Sequence, residues 1–281
     1  MAEKKKIQKR TGGRKRTSAR RSSSPNVGKP MPRWIYVTTI VMATAIALYL
    51  IYALFFRPYF YRFLPCYGHK HYEICLPSGY TVFGIDISRY QGNIDWEAFR
   101  DGNPAEAPIS FVYIKATEGS DFTDVNFADN FAEAKKYGFM RGAYHYFSTK
   151  SSGIAQAEMF IKTAGLTEGD LPPMIDIEER PKDKKRFLQE LKTFITKIED
   201  HYGVKPIIYT YRKYKSRYLD DPFFERYPSW IAHYYISSLG DDVKWLIWQC
   251  SDIGEVPGIP HNVDINIFNG SIEQLKSLQI K

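Results

Sequence analysis

From Trp34 to Phe56 the chain runs for 23 residues without a charged side chain, bounded by Arg33 and Arg57. A helix rising about 1.5 Å per residue would reach roughly 34 Å over that length, enough to cross a hydrocarbon core of about 30 Å. A cleaved signal peptide has an apolar core of only about 7–15 residues followed by small residues. Here Arg57-Pro58-Tyr59-Phe60-Tyr61 follows, and Phe63-Leu64-Pro65 before Cys66 is a poor match to a lipoprotein processing site. Residues 34–56 therefore read as an uncleaved transmembrane signal anchor. The formal net charge of +8 hides the asymmetry that orients it: residues 1–33 hold twelve Lys or Arg and one acid, Glu3, whereas the other 248 residues hold 27 basic and 30 acidic side chains. The positive-inside rule puts the N-terminus in the cytoplasm and the C-terminal part outside the cytoplasmic (inner) membrane. Trp34 and Tyr36 at one end, and Tyr59, Phe60 and Tyr61 at the other, suit the two interfacial belts.

Residues 1–33 are rich in Lys, Arg and Ser and read as a disordered basic tail. Such a tail can neutralise nucleic-acid phosphates, but its position directly before a membrane span assigns it an orienting role, and no nucleic acid is expected as a partner. Arg20-Arg21 lacks the surroundings of a twin-arginine export motif. Residues 57–79 form a juxtamembrane connector. Within it, on the oxidising side, Cys66 and Cys75 are predicted to close a disulfide loop. Cys250, in an apolar run, is then a buried free thiol. His69 and His71 flank Lys70 in the same loop with no further ligands at useful spacing, so no metal is assigned there.

From residue 80 to 281 short apolar strands alternate with amphipathic helices, with no repeat of 20–50 residues. Strands are predicted over Thr81–Ile87, Ser110–Lys115, Arg141–Phe147, Pro173–Glu178, Pro206–Tyr211, Ser229–Tyr234, Lys244–Gln249 and Asn262–Phe268. Helices are predicted from an Asp124 cap to Tyr137, from Ser152 to Ala164, and from Lys182 to Tyr202, with Gly138, Gly165 and Gly203 as their stops. The alternation implies parallel strands with crossover helices, and eight strands in about 200 residues point to an α/β fold of (β/α)-barrel type. The last three strands lie too close together for full helices between them, so the barrel should be irregular, with eight strands and fewer than eight helices. An open doubly wound sheet is the competing architecture, but no Gly-rich phosphate loop follows the first strand.

Reactive groups in such a barrel sit at one rim. Asp86 ends the first strand, Asp176 and Glu178 the fourth, and Asp264 lies on the eighth. Side chains alternate along a strand, so Asp176 and Glu178 point one way and Ile175 and Ile177 the other. Two carboxylates on the inner side of a buried strand are costly unless paired or functional. Without a catalytic cysteine, a nucleophile elbow or paired zinc histidines, they point to glycosidic bond cleavage, in which an acid protonates the leaving oxygen. His145, His201, His233 and His261 lack ligand-pair spacing, and no metal or other cofactor is assigned. Tyr144, Tyr146, Tyr209, Tyr211 and Trp248-Gln249 stand at strand ends, where ring faces and an amide suit a sugar.

Residues 82–268 resemble the lysozymes (N-acetylmuramidases) of glycoside hydrolase family 25. The matching pieces are Gly84-Ile85-Asp86-Ile87-Ser88 with Gln91-Gly92 and Ile94-Asp95-Trp96, then Phe111 to Gly119, Gly142-Ala143-Tyr144-His145-Tyr146-Phe147, and Asp176-Ile177-Glu178. Ile208-Tyr209-Thr210-Tyr211, Trp230-Ile231-Ala232, Trp248-Gln249 and Val263-Asp264-Ile265-Asn266 follow in family order. The resemblance implies a retaining muramidase acting on peptidoglycan glycan strands at the β-1,4 bond between N-acetylmuramic acid and N-acetylglucosamine. It makes Glu178 the general acid, Asp176 the group that orients the substrate's acetamido group, and Asp86 and Asp264 residues that shape the site. Carboxylates at i and i+2 leave one side of one strand, which favours substrate assistance over a displacement flanked by two acids. The family usually has an aromatic residue where this chain has Cys250. Two other readings stay open: a non-catalytic glycan-binding membrane anchor, and a glycosidase for another N-acetylated polysaccharide. The expected location is the periplasm or wall space, tethered through residues 34–56. Nothing in the sequence sets an oligomeric state.

Overall fold

The computed structural model describes residues 32–56, 69–234 and 236–281. The basic tail as far as residue 31, and Cys66 with its predicted pairing, lie outside them. The chain divides into two units, Met1–Phe56 and Arg57–Lys281.

In the first unit, helix α1 (Arg33–Ile51) continues as a π-helical turn over Tyr52–Phe56. Arg33–Phe56 has a mean hydropathy of 2.2 over its best window, and it is the one helix among the described residues long and apolar enough to cross a membrane. Its threonines hide their own polarity. The hydroxyls of Thr38, Thr39 and Thr44 donate to carbonyls of the preceding turn at 3.0, 2.8 and 2.9 Å, a local bond that satisfies each hydroxyl within the helix.

The second unit opens with a hairpin, β1 (His69–His71) and β2 (Ile74–Leu76). Eight strands then close a barrel: β3 (Phe83–Ile87), β4 (Ile109–Glu118), β6 (Met140–Tyr146), β7 (Met174–Asp176), β8 (Ile207–Tyr211), β9 (Ser229–Ala232), β10 (Ile247–Gly254) and β11 (Val263–Phe268). A two-residue strand, β5 (Phe122–Thr123), folds back on the end of β4. Neighbours follow chain order around the barrel, and β11 pairs with β3 to close it. The described helices of this unit are α2 (Trp96–Asp101), α3 (Phe127–Lys136), α4 (Gly153–Ala164), α5 (Lys184–Tyr202), α6 (Arg212–Tyr218), α7 (Pro222–Glu225) and α8 (Ile272–Ser277). The irregular α/β barrel is thus present, with seven α-helices among the described residues of this unit, fewer than eight. The expectation of parallel strands fails at the last one, in the region expected to be irregular: β11 runs antiparallel to both its neighbours, because the connection from β10 is too short for a crossover.

Alternation sorts the side chains into two layers. Facing the barrel axis are Phe111, Tyr113, Met174, Ile207, Trp230, Ile247 and Phe268. Facing the helices are Ile85, Val112, Ile175, Ile177, Ile208, Ile231 and Ile265, in one buried cluster that also takes in Phe187, Leu191, Phe194 and Ile198 of α5. Glycine is required where rings fill the axis. A Cβ at Gly84 would collide with the Phe111 ring and one at Gly142 with the Tyr113 ring. Strand β7 is shorter than predicted because Pro172 and Pro173 precede it and bring no N–H. Beyond Asp176, Ile177 N still donates to Tyr209 O at 3.0 Å, but the Ile177 carbonyl accepts from the Thr210 hydroxyl at 2.6 Å.

Two local expectations change. Asp124 does not cap α3; it is buried and accepts the amides of Asn126 (3.0 Å) and Arg89 (3.0 Å), tying that helix entrance to the loop after β3. The segment read as a plain connector contributes to the core. Tyr72, Ile74 and Leu76 are buried, and Glu255 N donates to Tyr72 O at 2.9 Å. Tyr72 and Glu73 form the hairpin turn at φ +54° and +55°, a conformation that ordinarily selects Asn-Gly. Tyr72 is held there by its buried ring, with its hydroxyl 2.6 Å from Ala107 O and 3.1 Å from Asn103 Oδ1. A chain starting at residue 80 should therefore be about 5 kcal/mol less stable in urea titrations than one starting at residue 57, since three buried apolar side chains contribute about 1.5–3 kcal/mol each. Equal midpoints would show the hairpin to be dispensable.

Candidate active site

The inner layer turns polar at the rim where the parallel strands end. Asp86 follows Gly84 on β3, Lys115 follows Phe111 and Tyr113 on β4, Tyr144 and Tyr146 end β6, and Tyr209 lies on β8. Glu178 stands two residues past Asp176 at the end of β7. Asp264 reaches this rim only because β11 is antiparallel, which puts its second residue opposite Asp86 in register. Together these strands border a cleft of about 250 Å3 lined by Asp86, Asp176, Glu178, Asp264, Tyr144, Tyr209 and Gln249, with Tyr90, Gln91 and Tyr234 at its edge.

Asp86 is the most firmly held. Its Oδ2 accepts from Gln249 Nε2 and Asn266 Nδ2, both at 2.8 Å. The Asn266 amide is oriented by Trp230, whose indole Nε1 donates to Asn266 Oδ1 at 3.0 Å. The Gln249 amide is oriented by the hydroxyls of Tyr209 and Tyr234, which donate to its Oε1 at 2.8 and 2.7 Å. Burial pushes the Asp86 carboxyl up to about 6 against these two amide donors, and the Glu178 charge adds to the rise.

Asp176 lies in register between Tyr146 and Tyr209. Burial, then the adjacent Glu178 charge, holds its carboxyl well above the ordinary carboxylate range, and Lys115 opposes them. Glu178 is also raised, first by burial, while hydrogen bonding with Tyr209 and with Asp176 and the Lys115 charge pull it back. Asp264 is raised by burial and by the Asp86 charge. Asp176 and Glu178 thus share a hydrogen bond in a site that retains protons where free carboxyls would have lost them. Asp176 Oδ1 is buried and has no hydrogen-bond partner. Lys115 supplies the counter-charge: it is buried, its Nζ lies 2.6 Å from Glu118 Oε2, and it sits 4.9 Å from the centre of the Tyr146 ring.

Of the residues expected to meet substrate, Tyr144, Tyr209 and Gln249 line the cleft, whereas Tyr146 is not in its lining and stands in register beside Asp176. Trp248 does not. It is fully buried on the outer layer, its indole donating to His233 O at 2.8 Å, because adjacent residues of a strand face opposite ways. Tyr211 packs on Tyr214 at 5.5 Å and is not part of the cleft lining. Cys250 is free and buried behind the site, in a bulge of β10 where Gln249 pairs with Asn266 and Ser251 with Ile265. His145 points outward, bonded to Thr117 (2.7 Å) and Gln156 (3.0 Å), and burial lowers it to about 3. Sequence reasoning passed over Tyr234 and the charge of Lys115. The position of Tyr234 just past a strand end is the signal that marks it.

The raised Asp86 carboxyl has a testable consequence. Its folded pKa lies above the unfolded 3.8, so its contribution favours the native state most below pH 3.8 and is lost as the pH rises to about 6. Relative to Asp86→Asn, the wild type should lose about 2 kcal/mol of unfolding free energy between pH 4 and pH 7 in urea titrations. Parallel pH dependences would show that this carboxyl ionises freely.

Known proteins resemble this chain in sequence and in fold. The sequence model of glycosyl hydrolases family 25 matches residues 85–259. The chain is 38% identical over 221 residues to the protein YegX of Escherichia coli (strain K12), covering 78% of this chain and 80% of that one. Lysozyme M1 of Streptomyces globisporus is 33% identical over 213 residues, covering 70% and 71%. Among solved structures, a bacterial lysozyme from Streptomyces coelicolor superposes with a TM-score of 0.64 at 31% identity, covering 71% of this chain and 97% of that one. A family 25 glycosyl hydrolase from Bacillus anthracis does so with a TM-score of 0.64 at 34% identity, covering 71% and 94%. With the family's sequence pattern and its barrel both present, the chain belongs to glycoside hydrolase family 25 and is a glycosidase.

Proposed function

We propose that this chain is a muramidase that hydrolyses peptidoglycan at the β-1,4 bond from N-acetylmuramic acid to N-acetylglucosamine, with retention of configuration and with assistance from the substrate itself. The observation that carries the reading is the buried, unpartnered Oδ1 of Asp176 beside the proton-retaining Glu178. A buried acceptor left unmatched costs about 1–3 kcal/mol, and an acetamido N–H is the kind of donor that relieves it.

Glu178 protonates the glycosidic oxygen as the bond to C1 breaks. The acetamido carbonyl oxygen attacks C1 from the opposite face while Asp176 holds the amide N–H, giving a cyclic oxazolinium-type intermediate. Water then opens that ring at C1 and gives its proton to Glu178, which restores the acid and leaves the configuration retained. Asp86 and Asp264 border the site, and Asp86, ionised above about pH 6, favours the positive charge that develops on the sugar. Tyr144 and Tyr209 offer ring edges and faces to it.

Helix α1, read as the membrane anchor of residues 34–56, holds the enzyme outside the cytoplasmic membrane within reach of the wall, between a basic tail of residues 1–33 and a domain placed at residues 80–281 with its preceding hairpin. Protease added outside the cytoplasmic membrane of spheroplasts should digest the domain and spare a tail-plus-helix fragment. Digestion of the tail instead would invert the orientation.

The full-length chain in detergent, incubated with purified peptidoglycan, should release fragments whose new reducing ends are muramic acid by mass spectrometry. Glu178→Gln should lower kcat by roughly 10²–10⁴-fold, the usual span for losing a general acid. Reducing ends of N-acetylglucosamine would reassign the bond, and a trapped glycosyl ester on Asp176 or Asp86 would overturn substrate assistance.

A further inference from the structure

Next to the cleft, the loops that follow β6 and β7 enclose a second pocket of about 390 Å3, within the roughly 300–1,000 Å3 typical of small-ligand sites. Its floor is apolar, formed by the buried Phe147 and Phe187. Its rim is charged. The carboxylates there are already engaged. Glu179 accepts from Ser148 Oγ at 3.0 Å and Thr149 N at 2.7 Å, and pairs with Lys150 at 3.1 Å. Asp183 caps α5 by accepting Arg186 N at 3.1 Å, and Glu190 accepts Gly153 N at 2.8 Å. The cationic heads of Arg180, Lys182 and Arg186, in contrast, make no hydrogen bond or ion pair among the described residues, and all three residues are exposed.

This open positive charge adjoins the cleft lined by Asp86, Asp176, Glu178 and Asp264. Glu178 lines the cleft and Glu179 the pocket, so a single peptide unit separates them. The two sites thus offer opposite charges to one substrate: carboxylates toward the reacting sugar, and cations toward something anionic carried close to it. In peptidoglycan the muramic acid carries, on its lactyl group, a short peptide with free carboxylates and small aliphatic side chains. That chemistry matches a cationic rim over an apolar floor.

We propose that this pocket binds the carboxylate-bearing peptide of the same glycan strand whose sugar occupies the cleft, so that cleavage favours peptide-bearing over bare glycan. The inference rests on the peptidoglycan reading above and adds to it a specificity set by Arg180, Lys182 and Arg186.

The test compares the full-length wild type with R180A/K182A/R186A on three substrates: peptide-bearing glycan, the same glycan stripped of its peptides, and peptide-bearing glycan with its carboxylates amidated. The wild type should show a KM roughly tenfold lower on the first than on the other two at low salt, the summed effect of three exposed ion pairs. That advantage should shrink as salt screens it. The triple variant should lose the advantage with kcat unchanged and its KM on stripped glycan unchanged, and R180K/R186K should keep most of it. A triple variant that retains the preference overturns the proposal, as does one whose KM rises equally on stripped glycan. A wild type that cleaves none of the three overturns the muramidase reading and this inference with it, whereas activity without any peptide preference overturns the pocket's role alone.

Discussion

Four carboxyl groups enclosed at one rim of a barrel are a large electrostatic cost, and much of the surrounding architecture answers it. An unpaired charge in a low-dielectric site is avoided by protonation, by hydrogen bonding or by a counter-charge, and all three are in use here. Asp86 receives two amide donors on one oxygen. Asp176 and Glu178 lean on each other through a hydrogen bond, and Lys115 faces them from β4. The result is a group of acids whose pKa values all lie above their ordinary range, which is the condition a proton donor needs near neutral pH.

The donors that steady Asp86 are themselves tied into the inner core. Trp230 fills the barrel axis among Tyr113, Phe111 and Tyr209, with ring centres 5.0, 6.5 and 5.8 Å away, and its indole sets the Asn266 amide. Packing and electrostatics are therefore coupled through one side chain. A change in the apolar plug would turn an amide, and through it a carboxylate, without touching the cleft. The same coupling explains why the axis needs glycine at Gly84 and Gly142: the rings that support the polar rim take the space where a Cβ would stand.

The reversal of β11 is the other decisive feature. In a uniformly parallel barrel the second residue of the last strand would sit at the far rim, away from Asp86. Running antiparallel, β11 brings Asp264 opposite Asp86 and Asn266 opposite Gly84, so a departure from regular barrel topology completes the acid cluster and supplies one of its amide donors. At another edge of the same unit, the hairpin of β1 and β2 adds Tyr72, Ile74 and Leu76 to the outer core, which makes the stretch before the barrel part of the fold.

The sequence alone carried whatever depends on local periodicity. The uncharged run before Arg57, the eight strands, the long helices with their glycine stops, and the inward pairing of Asp176 with Glu178 all follow from spacing along the chain, because alternation and helical period are local properties. Its misreadings have the same origin. Taking Trp248 and Gln249 together as sugar ligands overlooked that neighbours on a strand face opposite ways, and assigning Asp124 as a cap overlooked a competing pair of amides on Asn126 and Arg89. Only the tertiary structure decided strand direction for β11, the bulge that tucks Cys250 behind the cleft, and the meeting of Gln249 and Asn266 on one oxygen of Asp86 across 163 and 180 residues of chain. Those contacts join strands far apart in sequence, and their geometry comes into being when the barrel closes.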